Sequence, residues 1–346
     1  MKTYTFFDQI QNHKEYAARE VELISSPTIE NIELISLCNL ECKMCVVPPE
    51  RSQRMISLEQ VIDITEKNID LLKGEYVWLH HFGEPLMHPQ LIDIINYLSE
   101  AGINPRLSTN GTLLTYETSK NLILSGLKEI VFSLDGVNKE SYEQLRKGGN
   151  FNQVRENIRD FLEIKDSLNS QEPITQIQFV NIYNSKEEAQ QFIDYWSETS
   201  VNWINIKTPS TRAHQVVDEK IKKSILKAYP KEDPLKKDFP CYWLWSSLVI
   251  LSDGNVVPCC TDLSGINVLG NVFEDTLSDI WSGARAKSLR QDQISGEYNL
   301  SPICQQCPEI KGYSCSFEEK KNEESMIAHY KKRQLKHGHH LLIKNG

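Results

Sequence analysis

The 346-residue chain is predicted to be an α/β protein, an open partial (β/α)6 barrel followed by a small cysteine-rich hairpin-plus-helix auxiliary domain. Three observations predict it. Between residues 29 and 208, β-branched strand patterns alternate with amphipathic helical patterns about six times, which calls for a parallel sheet with crossover helices. From Cys241 the texture changes to strand, turn and strand. The cysteines fall into two groups (Cys38, Cys42, Cys45, then Cys241, Cys259, Cys260, Cys304, Cys307, Cys315), and two groups imply two sites.

The elements follow in order. Residues 1–28 are polar with scattered aromatics (Tyr4, Phe6, Phe7, Tyr16) and are expected to form a short helix packed on the main domain. They are too few for a separate peptide-binding domain. Ile29–Leu37 is a β-branched, alternating strand that delivers the first cysteines at its C-terminal end. Ser57 caps an amphipathic helix to Lys73, with Leu58, Val61, Ile62, Ile69 and Leu72 at helical spacing. Strand Tyr76–His80, helix Pro89–Ala101, strand Pro105–Ser108, helix Tyr116–Ser125 and strand Glu129–Leu134 come next. A helix from Phe151 to Leu168, strand Ile174–Ile182, helix Lys186–Ser197 and strand Trp203–Lys207 complete residues 29–208. Residues 209–240, with Pro230, Pro234 and Pro240, are a connector with one helix. In the second domain, 241–316, the Asp253-Gly254 pair between apolar runs signals a hairpin, and Thr276–Leu289 is helical. Residues 317–346 are expected to be a solvated polar tail, its histidines included.

Composition limits the function classes. Apolar content of 40% and charged content of 25% are those of a globular domain. A net charge of −9 argues against nucleic acid as the main partner, which would need a basic stripe. There is no run of 18 apolar residues for a membrane span, and Met1–Ile10 lacks a signal-peptide pattern. The expected compartment is the cytoplasm, where an odd count of nine cysteines points to metal ligation before disulfides.

Cys38-Asn39-Leu40-Glu41-Cys42-Lys43-Met44-Cys45 reads C-x3-C-x2-C. Three thiolates on one short loop can hold three corners of a metal cluster, and the next cysteine is as distant as Cys241. Structural zinc sites usually carry four ligands in pairs, whereas such cysteine-rich spacings characterise iron–sulfur ligation. Three protein ligands leave one iron with an open position. Zinc and a disulfide are the plainer readings. Phe82-Gly83-Glu84-Pro85 follows the second strand, where glycine permits close backbone approach and a carboxylate suits an ammonium group. Ser108-Thr109-Asn110-Gly111-Thr112 ends the third strand with hydroxyl and amide groups that suit a ribose or carboxylate, or simply cap a helix. Ser133-Leu134-Asp135-Gly136 ends the fourth, and Arg146, a residue type that can clamp a carboxylate, follows the turn.

These motifs resemble the radical S-adenosylmethionine (radical SAM) enzymes. The resemblance implies a partial TIM-like barrel and a catalytic 4Fe–4S cluster on Cys38, Cys42 and Cys45. The open iron of that cluster is chelated by S-adenosylmethionine, which one electron cleaves to methionine and a 5′-deoxyadenosyl radical. It further implies that Gly83 and Glu84 hold the cofactor's amino group, that Ser108 and Asn110 lie near its ribose and methionine, and that Ser133 and Arg146 take its carboxylate. Met44 stands where the family usually has an aromatic residue before the third cysteine, and Phe82 replaces the first glycine of the usual Gly-Gly-Glu.

Cys241, Gly254-x4-Cys259 and Cys304-x2-Cys307 supply four thiolates, enough for a zinc ion or a second 4Fe–4S cluster. With Gly254–Cys260, Gly270-Asn271-Val272 and Ile280-Trp281, they resemble the SPASM auxiliary-cluster domain of radical SAM enzymes, in its shortened, single-cluster form. The spacing is close to that of a 2-deoxy-scyllo-inosamine dehydrogenase. Between Cys259 and Cys260, the Gly-x4-Cys register favours Cys259. Cys260 and Cys315 are left over and are candidate hydrogen-atom donors, or small buried hydrophobes. Tyr242, Trp243 and Trp245 either line a substrate pocket or fill core.

The expected function is hydrogen abstraction from a polar substrate, oxidising or epimerising a sugar, aminocyclitol or related intermediate. Flavodoxin or ferredoxin is the electron donor that the resemblance implies. Modification of a ribosomal peptide is the alternative, and a non-catalytic iron–sulfur or zinc scaffold is the reading from another class.

Overall fold

The computed structural model describes residues 4–45, 54–207, 209–210, 216, 218–228, 240–305, 307 and 340–343. Six strands form the parallel sheet: β1 (Thr28–Ile32), β2 (Tyr76–Trp78), β3 (Asn104–Thr109), β4 (Glu129–Ser133), β5 (Ile174–Val180) and β6 (Trp203–Lys207). Each pairs in parallel with the next, so the chain adds strands to one edge through helical crossovers. The alternating burial of β3 and β5 is the sequence alternation made structural.

The other edge of β1 is not free. β7 (Ser247–Ile250) pairs with it in parallel, and β8 (Asn255–Val257) and β9 (Gly270–Asn271) extend the sheet antiparallel to β7 and to each other. The cysteine-rich hairpin thus continues the barrel sheet and shares its core: Ile29, Ile32, Trp245, Leu248 and Ile250 lie in one buried cluster. On the opposite edge His340–Ile343 forms a tenth strand antiparallel to β6. Part of the expected solvated tail is therefore ladder; residues 317–339 lie outside the described set.

Two helices expected to be continuous are broken. Leu58–Lys67 and Ile69–Leu72 are separated at Asn68, whose Oδ1 accepts the Leu277 N–H at 2.7 Å. Leu277–Ser282 and Ala284–Ser295 are separated at Gly283. A helix that the sequence reading omitted, Lys139–Leu145, follows β4. The connector helix is present as Glu219–Ala228, and residues 229–239 lie outside the described set.

The N-terminal helix Tyr4–Ala17 docks on the auxiliary segment, where the sequence suggested the main domain. Asn12 Nδ2 donates to the Trp245 carbonyl (2.6 Å) and the Tyr16 hydroxyl to the Pro240 carbonyl (2.6 Å). His13 stacks on Tyr242 with ring centroids 4.5 Å apart. Tyr242 and Trp245 therefore anchor this helix, and Trp243 packs against the same core. Among the described residues no helix is long and apolar enough to cross a membrane.

Candidate active site

The candidate residues meet where the C-terminal ends of β1 to β4 converge, the end at which barrel enzymes carry their chemistry. The cysteine loop is pinned there by a two-residue antiparallel ladder, Glu41–Cys42 with Arg146–Lys147. Lys43 N–H donates to the Leu145 carbonyl at 2.9 Å, and Cys45 N–H turns back to the Cys42 carbonyl at 3.0 Å. Met44 packs with Phe82 against Leu145, Ile182 and Leu263.

Gly83 is where the second strand end meets the chain leading to the cysteines. A Cβ on Gly83 would lie 2.0 Å from the Ile35 carbonyl oxygen and 2.8 Å from that of Leu37, so only glycine fits. The next residue uses that closeness, Glu84 N–H donating to the Leu37 carbonyl at 2.7 Å. The Glu84 carboxylate is buried and accepts from Thr109 Oγ1 (2.7 Å), Asn110 N–H (2.8 Å) and Leu86 N–H (3.1 Å). Burial pushes its pKa up, and the Asn110, Thr109 and Leu86 hydrogen bonds work against that. It ties β2 to β3.

Asn110 reaches into the cysteine loop. Its Nδ2 donates to Asn39 Oδ1 at 2.9 Å and lies 3.9 Å from Cys38 Sγ, while its Oδ1 accepts from Thr112 N–H (2.9 Å) and Thr112 Oγ1 (2.6 Å). Ser108 and Ser133 face each other across β3 and β4, hydroxyl to hydroxyl at 3.2 Å.

Arg146 is buried beneath the loop, and its partner is a residue the sequence reading passed over. Nε (3.1 Å) and Nη2 (2.5 Å) both donate to Asp135 Oδ2, while Asp135 Oδ1 accepts the Val180 N–H at 2.7 Å. Asp135 takes a left-handed backbone, φ 43°, which aspartate tolerates better than most residues. Gly136 follows because a Cβ there would lie 2.6 Å from the Tyr142 nitrogen. Burial lowers the Arg146 pKa, but Asp135 first and then Cys42 more than reverse it, so the guanidinium stays charged. Thr109 is the other contributor missed. Both stand inside motifs already recognised, and their hydroxyl and carboxylate groups were the available signal.

Burial raises the thiol pKa of Cys38, and raises that of Cys42 to about 11, with Arg146 pulling both back. Cys42 also feels Cys45 and Cys38, which puts the three sulfurs in one neighbourhood. Thiols with raised pKa hold their protons until a metal displaces them, so metal uptake releases protons. Among the described residues, no three His, Cys, Asp or Glu side chains converge as they would on a single ion. A four-iron cluster takes one thiolate per iron at the corners of a cube, so it needs a wider cysteine spacing than one ion does. The donor set, all thiol with a charged arginine behind it, fits such a cluster.

The second group of cysteines is assembled from three segments. Cys241 precedes β7 and Cys259 follows β8. Cys304 lies on Pro302–Gln305, and Cys307 N–H donates to the Cys304 carbonyl at 3.2 Å. The Cys259 thiol pKa is raised by its hydrogen bond to Cys260, by burial, and by the proximity of Cys260 and Cys241. Tyr298, whose pKa is raised mainly by burial, feels both Cys241 and Cys304. Thr261 N–H donates to Cys259 Sγ at 3.3 Å, whereas Cys260 packs on Val249, Leu251 and Val257 as a small hydrophobe. Cys315 lies outside the described residues.

Residues 32–170 match the radical SAM superfamily model and residues 241–308 the SPASM iron–sulfur cluster-binding domain model. The chain belongs to the radical SAM superfamily and carries a C-terminal SPASM domain. Those two domains imply a catalytic 4Fe–4S cluster, auxiliary iron–sulfur ligation and S-adenosylmethionine as cofactor. The chain is 24% identical over 315 residues to the tungsten-containing aldehyde ferredoxin oxidoreductase cofactor-modifying protein of Pyrococcus furiosus, covering 80% of this chain and 86% of that one. It is 28% identical over 317 residues to the antilisterial bacteriocin subtilosin biosynthesis protein AlbA of Bacillus subtilis, covering 83% of this chain but 66% of that one. Streptococcus suis SuiB, solved with its precursor peptide SuiA, shares the fold at TM-score 0.60 and 18% identity, over 88% of this chain and 75% of SuiB.

Proposed function

We propose that this radical SAM enzyme abstracts a hydrogen atom from a polar substrate. The substrate radical then either passes its electron to the second cluster, with loss of a proton, for a net two-electron oxidation, or takes back a hydrogen atom on the opposite face of that carbon from a cysteine thiol, for an epimerisation. The sequence suggests Cys260 or Cys315 for that thiol. The observation that carries the reading is the convergence of Cys38, Cys42 and Cys45 with Glu84, Asn110, Ser133 and Arg146 at consecutive strand ends. A non-catalytic scaffold gives no reason for that convergence.

Cys38, Cys42 and Cys45 would hold the catalytic cluster, leaving one iron for the amino and carboxylate groups of the cofactor. When bound, cluster and cofactor together supply one-electron cleavage of a sulfonium and the hydrogen abstraction that follows. The chain's own residues prepare the place. Arg146 keeps positive charge beside Cys42 and retains Nη1 beyond its two bonds to Asp135 for a cofactor carboxylate. Ser108 and Ser133 present paired hydroxyls on the same rim. Asn110 steadies Asn39, the residue after the first ligand. Glu84 is spent on Thr109 and Asn110, so its part is to fix the rim; any bond to the cofactor's ammonium group comes from the lone pairs that remain. Cys241, Cys259, Cys304 and Cys307 would hold the second cluster, with Cys259 preferred to Cys260 because it accepts the Thr261 N–H.

The substrate is either a sugar or aminocyclitol, as the shortened SPASM pattern suggested, or a ribosomal peptide. The long match to AlbA, a bacteriocin biosynthesis protein, favours the peptide. The electron donor in this reading is a flavodoxin or ferredoxin. The reduced, iron-loaded protein is incubated with S-adenosylmethionine and a panel of deuterated precursor peptides and aminocyclitols. Deuterium arriving in 5′-deoxyadenosine from a peptide supports that reading. Transfer only from an aminocyclitol would move the assignment to sugars, and transfer from neither would contradict both.

A further inference from the structure

Helix Ala284–Ser295 turns one face toward the second cysteine group, and two anchors fix it. Arg290, fully buried, donates Nε to the Leu244 carbonyl (3.0 Å), Nη1 to Val21 (3.2 Å) and Nη2 to Trp281 (3.1 Å), with its guanidinium 4.2 Å from the centre of the Trp281 ring. One turn on, Gln293 is 2% exposed, and its Oε1 accepts the backbone N–H of Cys241 at 2.9 Å. The helix is thus bolted on one side to the segment that carries the first cysteine of the second group.

The other half of the Gln293 amide is unspent. Nε2 is buried and completes no hydrogen bond, and the same is true of the Ser301 hydroxyl on a residue with no exposed surface. A buried donor left without an acceptor costs about 1–3 kcal/mol, so each such group calls for an explanation. Both lie against one half-buried thiol: the Ser301 carbonyl accepts the Cys304 N–H at 3.0 Å, and the Ser301 and Gln293 side chains are within hydrogen-bonding reach of Cys304. The nearby Asp262 and Asp292 carboxylates are engaged elsewhere. Asp262 accepts from Ile266 N–H (2.8 Å) and Asn267 N–H (2.6 Å), and Asp292 from Asn299 N–H (2.8 Å) and Leu300 N–H (3.0 Å).

We propose that Gln293 and Ser301 form a hydrogen-bond cradle for the Cys304 sulfur of the second cluster, with Gln293 at the same time fixing Cys241, so that the pair sets the orientation and reduction potential of that cluster. Hydrogen bonds to ligating sulfurs stabilise the reduced, more negative cluster and raise its potential. Among the described residues neither donor has another acceptor, so a ligating Cys304 thiolate is the acceptor left to both. The inference rests on the second cysteine group holding a cluster, as proposed above. Both residues act through Cys304 and are positioning residues.

The test uses the full chain with Cys38, Cys42 and Cys45 replaced by alanine, so that the second cluster is seen alone. Its potential is read by redox titration followed by electron paramagnetic resonance in that background, in Gln293→Leu, in Ser301→Ala and in Ser301→Thr. With about four irons per chain retained, Gln293→Leu and Ser301→Ala shift the potential downward and Ser301→Thr restores it. Unchanged potentials in both removals overturn the cradle. Should either variant fail to take up iron, the background protein labelled with 15N at the glutamine amides decides. A 15N coupling to the reduced cluster supports the Gln293 contact, and its absence overturns it. A background protein that binds no iron removes the second cluster, and this inference with it.

Discussion

Arg146 and Asp135 make the residue-scale case. Each is buried, Arg146 pairing through its backbone with Cys42 and Asp135 accepting the Val180 N–H, so neither can be removed alone without leaving an uncompensated charge. Asp135→Ala is expected to cost about 3–5 kcal/mol in the urea-unfolding free energy of the metal-free protein. The double variant Asp135→Leu/Arg146→Met recovers much of that stability and yet loses S-adenosylmethionine binding, as measured by calorimetry. Recovery of both would show the arginine to be structural only. Glu84 gives a pH prediction. Its folded-state pKa is raised above 4.5 by burial, so protonation is easier in the folded than in the unfolded chain. Its contribution to stability is then fully present below pH 4.5 and falls as pH rises toward the raised value. Wild type should therefore be more stable relative to Glu84→Gln at pH 4 than at pH 7. A difference that does not change with pH would contradict the assignment.

Among elements, the turn Phe82–Glu84 shows what a sequence can and cannot reveal. The Gly-Glu signal was visible, and its place after a strand was visible, because both are local. Why glycine is required was not, since the clash is with Ile35 and Leu37, on another part of the chain. Gly83→Ala must push the turn off the cysteine-loop segment, and it is expected to lower iron uptake at the first site while leaving the second filled. Normal uptake at both would remove the close-approach argument. The helix break at Asn68 has the same origin. Apolar periodicity ran unbroken to Lys73, and only the distant Leu277 N–H explains why the chain turns there. Likewise Ser133 and Arg146 were singled out by the family resemblance, whereas the ion pair with Asp135 required the turn geometry of Asp135-Gly136.

The whole molecule is organised by one sheet. Strand alternation was enough to read the six parallel strands, because burial on a pleated surface imposes its period on the sequence. That β7 pairs in parallel with β1 leaves no such trace, because register between strands more than 200 residues apart is a property of the assembled core. The two cysteine groups consequently sit on a shared scaffold, and the N-terminal helix is fastened to the SPASM segment by Asn12 and Tyr16. A chain ending at residue 208 would expose the β1 edge and lose Trp245, Leu248 and Ile250 from the common core. It is expected to aggregate, and the full metal-free chain to unfold in one transition by both circular dichroism and tryptophan fluorescence. Two separated transitions would mean that the domains are independent.

The central claim is that the first three cysteines carry a cofactor-cleaving cluster and the second group carries another. After anaerobic reconstitution with iron and sulfide, reduction and addition of S-adenosylmethionine, iron and 5′-deoxyadenosine are measured together in wild type and in Cys42→Ala. About eight irons per chain are expected, four per cluster, with 5′-deoxyadenosine formation that disappears in Cys42→Ala while about four irons remain. A filled first cluster that leaves S-adenosylmethionine intact would contradict that claim.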